Sequence, residues 1–253
     1  MGAWTIASIL FGCVFGSALL GIFLRSFLPA HNFSEESKDV VKLGTGLIAT
    51  MAALVLGLMV ASAKSSFDVQ KNGVDQMSAL IVLLDSTLAE YGPEAQVCRD
   101  TLREIVSEGL DRVWPEENDK ASTFAPTTLA GSRSLYLMIQ DLASTTDKQR
   151  RIQATALQFA TDLARARWLL IAQEKSVAIP TPFLVVLVFW LAVLFASFGL
   201  FAPANPLVIG TLIVCALSVS GALFLILELA GPFDGMIQVS STPLRNSLAM
   251  IGQ

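Results

Sequence analysis

Charge is scarce in this chain: only 15% of its 253 residues are Asp, Glu, Lys or Arg, while 53% are hydrophobic. Ordinary soluble domains carry about a quarter charged residues, so this balance is too apolar for one. Histidine is scarcer still. His31 is the single example, in a short connecting stretch, and reads as a surface residue. The three cysteines, Cys13, Cys98 and Cys215, form no CxxC pair. Neither a disulfide framework nor a Cys/His zinc site is indicated. Phosphate-binding loops, dinucleotide fingerprints, zinc-protease motifs and a Ser/His/Asp set are all missing. A net charge of −4 with no basic stripe argues against a nucleic-acid partner. These absences point away from an enzyme, and no residue cluster implies a cofactor or a bound metal.

What the chain does have is long apolar runs. Four reach spanning length: Ala3–Leu24, Leu43–Ala63, Phe183–Ala202 and Leu207–Leu227. The second holds 21 residues without an ionisable side chain, about 32 Å of helix and enough to cross a bilayer. Between the second and third runs, residues 64–181 carry 13 of the 17 Lys and Arg and 16 of the 21 Asp and Glu. The expected fold is an all-α membrane protein, with four transmembrane helices in two hairpins and a helical cytosolic domain inserted between the second and third. The division is residues 1–64 for the first hairpin, 65–179 for the cytosolic domain, 180–230 for the second hairpin and 231–253 for a cytosolic C-terminal tail.

The second run is patterned. Ala49, Ala53, Gly57 and Ala61 recur every four residues and form a ridge of small side chains where another helix could pack closely. The neighbouring faces carry Thr45 and Thr50, then Leu54 and Leu58. Two readings stand: a packed membrane helix and no more, or a helix that packs through its ridge while another face lines a pore. Gly12 and Gly16 in the first run make a GxxxG pair that also suggests tight packing.

Helix stops and starts fill in the rest. Ser34 before Glu35 and Glu36 reads as an N-cap with acids in the first turn. From there, helical spacing continues past the apolar run through Phe67, Val74, Met77, Leu80, Ile81, Leu84 and Leu88, predicting one helix from Glu35 to Glu90. Tyr91-Gly92-Pro93 breaks it. A further helix carries Val97, Leu102, Ile105, Val106, Leu110 and Val113 and ends at Trp114-Pro115. Glu116–Pro126 reads as a loop, and helices are expected over Thr127–Thr145 and Asp147–Lys175, with no strand. Pro180-Thr181-Pro182 returns the chain to the membrane, Pro203–Pro206 is a tight turn, Gly231-Pro232 stops the fourth span, and Thr242-Pro243 starts a short final helix.

With four spans, the polar domain and both termini share one side. Lys64, Lys71, Arg165, Arg167, Lys175 and Arg245 lie near the membrane ends on that side, against Arg25, Lys38 and Lys42 on the other, which puts it in the cytoplasm. Two junctions there could carry function: Lys64 to Asp68 after the second span, and Glu228 to Arg245 after the fourth. An acid at the edge of a span is unfavourable unless hydrated or paired, so Glu228 is a candidate, with Lys64 as a partner. Its plainer reading is an interfacial carboxylate reaching water. Asp234 is a turn residue or a cation ligand, although one or two acids fall short of a calcium site.

Three stretches carry a family resemblance: VLGLMVASAKSSFD at 55–68, FGLFAPANP at 198–206 and ELAGPFDGMIQVSSTPLR at 228–245. They resemble bestrophin-like membrane proteins of bacteria and plants, and the likeness extends over nearly the whole chain. It implies a distant relationship to bestrophins: pentameric anion channels with four spans per subunit and a large helical cytosolic domain between the second and third. The implied partners are further copies of the chain, the lipid of a bacterial inner (plasma) membrane, and inorganic anions. In bestrophins the second span lines the pore, which by analogy points to Thr45, Thr50, Leu54 and Leu58. A calcium clasp of acids follows their fourth span; here Met236-Ile237-Gln238 stand after Pro232–Gly235 instead. The second reading is a non-conducting scaffold or signalling protein whose cytosolic helices bind a partner, and a third is a transporter with a proton or cation site at Glu228.

Overall fold

A backbone in hydrocarbon has no water to bond, so each apolar run must satisfy its own amides, and a helix does this within one segment. In the computed structural model of the chain all four runs are helical. Residues 3–25, 27, 35–114, 127–176, 181–202, 205–233 and 235–251 are described. The sequence readings for His31, the Ser34 cap, the 116–126 loop, Pro180 and Asp234 lie outside them. The described residues hold α1 (Ala3–Arg25), α2 (Glu35–Tyr91), α3 (Gln96–Val113), α4 (Thr127–Gln140), α5 (Asp147–Ser176), α6 (Thr181–Phe201), α7 (Pro206–Leu229) and α8 (Thr242–Met250), with no strand among them. Four of these, α1, α2, α6 and α7, are long and apolar enough to cross a membrane. The chain divides into two compact units, residues 1–66 with 178–231, and residues 67–177 with 232–253.

In the first unit α1 packs against α6 and α7. Its core comes from Leu10, Val14 and Ala18 on α1, Ala52 and Ala63 on α2, Leu187, Leu191 and Phe195 on α6, and Leu212, Ala216 and Leu223 on α7. The closest approach is between backbones. A Cβ added to Gly21 would collide with the carbonyl oxygen of Ala196, and one added to Gly199 with that of Ala18. Small residues at both positions let α1 and α6 touch with no side chain between them, the usual route to dispersion contact in a membrane. Gly12 and Gly16, where the sequence suggested tight packing, have open space beside them. Arg25 donates to the Ala202 carbonyl and so closes this end of the pair. At the start of α7, Asn205 accepts from the Leu207 amide and Pro206 takes the first helical position.

The second unit is a helical bundle around a large apolar core. Val74, Met77, Ile81, Leu84 and Leu88 repeat along α2 at helical spacing and are all buried. They meet Leu102, Val106 and Leu110 of α3, Leu135 and Ile139 of α4, and Ile152, Ala156 and Leu170 of α5. Leu84 and Leu88 are completely buried, each contributing about 1.5–3 kcal/mol by removal from water. Helix α2 ends where Gly92 adopts φ 127°, a conformation open to glycine alone.

The joint between α4 and α5 differs from expectation. Helix α4 stops at Gln140 rather than Thr145. The reason is Gln153, in the second turn of α5, whose Nε2 donates to the carbonyls of Ile139, Gln140 and Leu142 at 2.8, 3.0 and 3.1 Å. The first two belong to the last turn of α4, whose carbonyls have no amide of a following helical turn to accept from. Beside it, the Gln149 backbone N–H donates to Thr146 Oγ1 while Gln149 Oε1 accepts from the Thr146 amide, a capping box that starts α5.

The C-terminal segment folds into this second unit. Phe233, Val239 and Leu244 are buried in its core. Trp114 donates from Nε1 to the Val239 carbonyl at 2.9 Å and meets Phe233 edge to face at 5.7 Å. Ser78 donates to the Pro243 carbonyl at 2.6 Å.

Candidate functional site

The apolar half of α2 is the least covered of the four long helices. Of its most apolar window 11% is buried within the chain, against 22–33% for the other three. Its two sides differ. Ile48, Ala49, Ala52, Val55, Leu56, Met59 and Ala63 turn toward the core of the first unit. The opposite side carries Leu47, Thr50, Leu54 and Leu58, and the three leucines are 63–65% exposed. Both threonines bond locally: Thr45 Oγ1 donates to Val41 O at 2.6 Å and Thr50 Oγ1 to Leu47 O at 2.8 Å. The outward face is therefore apolar in character, with its hydroxyl turned back onto the helix.

This resolves the residues singled out from sequence into two groups. Thr50, Leu54 and Leu58 share the outward face. Thr45 does not. It is half-buried and lines an open cleft of about 470 Å³ with Lys42, Ala49, Phe198, Phe201 and Leu207, between α2, α6 and α7. At 3.6 residues per turn a period of five from Thr45 to Thr50 rotates the side chain well away, and Leu47 is the residue that shares the face of Thr50 at this level. The ridge of small residues drifts likewise. Ala49 is half-buried, whereas Ala53, Gly57 and Ala61 are exposed, with nothing near a Cβ at Gly57. A four-residue repeat advances faster than the helix turns, so the ridge starts beside the core and ends on the uncovered side.

The junction residues separate as well. Lys64 and Glu228 belong to the first unit, Asp68 and Arg245 to the second. Lys64 is exposed and Asp68 half-buried. Glu228 is 3% exposed, so it is enclosed by the protein rather than reaching out to water as an interfacial carboxylate would. Arg245 is exposed and donates from Nε to Ser241 Oγ at 3.1 Å.

Sequence reasoning passed over a charged pair in the second unit. Asp85 and Arg99 form a two-pronged ion pair, Nε to Oδ1 at 2.8 Å and Nη2 to Oδ2 at 2.9 Å, with side chains 8% and 12% exposed. Hydrogen bonding to Asp85 holds the Arg99 guanidinium above its ordinary value, against the opposing effect of burial. The signal in the sequence was an acid interrupting the apolar stripe of α2 between Leu84 and Leu88. Among the described residues no three His, Cys, Asp or Glu side chains come together as a metal site.

Residues 12–244 match the family described as the Bestrophin-like domain. No curated protein matches the chain. Two crystal structures of a bacterial bestrophin homologue from Klebsiella pneumoniae, each carrying one substitution, are similar to it. One is 14% identical, with 97% of this chain and 98% of that chain covered and a TM-score of 0.69. The other is also 14% identical, covering 95% and 99%, with a TM-score of 0.65. At that identity the likeness is one of fold.

Proposed function

From the premise that the chain belongs to the bestrophin-like family, we propose that it is a homo-oligomeric, pentameric ion channel that favours anions, with α2 lining the pore. One observation carries the reading: the face of α2 holding Leu47, Thr50, Leu54 and Leu58 is left uncovered by its own chain. In a ring of subunits that face turns to the axis, while Ala53, Gly57 and Ala61 offer a neighbouring subunit a close approach. Thr45 sits behind the pore wall. Rings of Leu54 and Leu58 make an uncharged constriction that conducts when wetted and closes by dewetting, and weakly hydrated anions cross it most readily.

The proposal includes the membrane arrangement: spans in two hairpins over residues 1–64 and 180–230, a cytosolic domain over 65–179, a cytosolic tail over 231–253, and both termini on the cytoplasmic face of a bacterial inner membrane. Exposed Lys64, Lys71, Arg165 and Arg245 then face the side with excess positive charge, where they also raise the local anion concentration.

The test is chloride and potassium flux through the purified protein in liposomes, with subunits counted on the same sample. Chloride flux from a ring, increased in Leu54→Ala and Leu58→Ala, is the expected result. Folded rings in which both substitutions leave flux unchanged would remove this face from the pore. A monomer or dimer that conducts nothing would favour a scaffold whose cytosolic helices bind a partner.

A further inference from the structure

The cleft of about 470 Å³ between α2, α6 and α7 lies wholly within the first unit. Its wall is drawn from one end of each helix: Lys42 to Ala49 where the apolar run of α2 begins, Ser197 to Ala202 where α6 ends, and Leu207 to Leu212 where α7 begins. All three helices are long and apolar enough to cross a membrane, so the cleft opens at one rim of the bilayer and reaches inward. Its wall is largely apolar, with Phe198 and Leu207 exposed along it. The hydroxyls of Thr45 and Thr211 are turned back onto their own helices, donating to the carbonyls of Val41 and Leu207 at 2.6 and 2.9 Å. A polar ligand would find both donors taken, whereas hydrocarbon does not need them.

The dimensions select among apolar occupants. From Lys42 to Ala49 the cleft follows α2 for about 10 Å. Over that depth its volume leaves a passage about 7–8 Å across, narrower than the 10–12 Å of a helix with its side chains, so a helix of a second copy stays outside. Flexible chains fit. A cavity of about 150 Å³ admits benzene, and in proportion this cleft takes about nineteen carbons, the amount that two acyl chains bring into part of one leaflet. The rim suits a phosphate. Exposed Lys42 is part of the wall, and exposed Arg25 donates to the carbonyl of Ala202, another part of it. Asp39 stands 3.4 Å from the Lys42 ammonium, with both side chains well exposed. An ammonium carries three donors and a guanidinium five, so these contacts use a fraction of what the two cations offer. Among the described residues, two positive groups against one acid leave the rim net positive, which attracts a phosphate.

We infer that this cleft is a binding site for one phospholipid, its phosphate at Lys42 and Arg25 and its acyl chains along Gly46, Phe198 and Leu207. The site uses residues of the first unit alone and needs only that the chain spans a membrane, so it stands or falls separately from the pore.

The test is native mass spectrometry of the purified, delipidated full chain in detergent, titrated with dioleoyl phosphatidylglycerol. Dioleoylglycerol, with the same chains and no phosphate, is the comparison probe. Saturable binding of one phosphatidylglycerol per subunit is expected, at least about tenfold tighter than dioleoylglycerol, the usual margin of a charge-assisted contact. Lys42→Gln should narrow that margin and leave dioleoylglycerol binding unchanged. Gly46 is part of the wall, and a Cβ there meets nothing within 4 Å. Gly46→Leu therefore fills the cleft without a clash, and should weaken both lipids at least about tenfold while helical content and elution volume stay those of the parent. Gly44 has the same open space but is not part of the wall, so Gly44→Leu should bind as the parent does. The proposal is overturned if the parent binds no phospholipid, as it would where a second copy fills the cleft. It is equally overturned if dioleoylglycerol binds as tightly as the phospholipid, or if folded Gly46→Leu binds like the parent.

Discussion

Replacing Arg99 with methionine is the sharpest test of how the second unit is held together. The substitution keeps an unbranched side chain of similar length, so packing changes little while the charge disappears. What remains is the Asp85 carboxylate, 8% exposed and stripped of a two-pronged partner at 2.8 and 2.9 Å. Breaking one side of a buried pair typically costs about 3–5 kcal/mol, because the surviving charge must stay desolvated. For a chain of this length each kcal/mol moves the midpoint by about 2–4 °C, so the expected drop is roughly 6–20 °C. The double variant Asp85→Leu with Arg99→Met removes both charges and should recover most of that loss, since apolar replacement of a whole pair is often neutral. Thermal unfolding followed by circular dichroism, in matched detergent at low and high salt, reads all three proteins. High salt should alter the result little, because a buried pair is weakly screened. A loss below about 1 kcal/mol for Arg99→Met, or a double variant no better than the single one, would show that the pair is decorative and that the unit rests on its apolar core alone.

Other expectations are as specific. Gly21→Ala puts a methyl against the Ala196 carbonyl, so α1 and α6 must separate, at a cost of about 1–3 kcal/mol; Gly12→Ala has open space and should leave the thermal midpoint unchanged, whereas equal losses would refute a crossing centred on Gly21. Burial raises the Cys98 thiol above its ordinary 9.0. A pKa raised by folding leaves stability intact below the unfolded value and removes it as pH climbs toward the folded one. The midpoint should thus hold up to pH 9.0 and fall above it, with a shallower fall in Cys98→Ala; identical pH profiles would mean the thiol is not enclosed.

The architecture was legible because its signals are local. Apolar runs of spanning length, helical spacing from Val74 to Leu88, and punctuation at Gly92, Pro182, Pro206 and Pro243 each act within a few residues, and the helices follow them. The end of α4 was not legible, since no glycine or proline marks Gln140 and the side chain that caps it, Gln153, comes from the next helix. The same limit applied to glycine pairs. Gly12, Gly16 and Gly21 look alike in sequence, and only the neighbour's position shows that Gly21 is the one in contact. Thr45 was grouped with Thr50 although five residues separate their directions on the helix. Arg165 and Arg167 were likewise counted together as basic residues near the membrane, yet two positions along α5 take one to the surface and the other inside. Whether a charge faces water is a property of helix rotation, which neighbours set and composition does not.

The joint held by Gln153 has a bearing on how the protein ages. Its amide nitrogen serves three carbonyl oxygens at once, and Ser144 donates to its oxygen at 2.6 Å. The end of α4 is thus tied off by one neutral donor, indifferent to salt and to pH. Slow hydrolysis of that amide would leave a carboxylate in its place, an acceptor facing three acceptors. A single deamidation event, worth one mass unit and one negative charge, would turn the cap into a repulsive contact at the tip of the bundle.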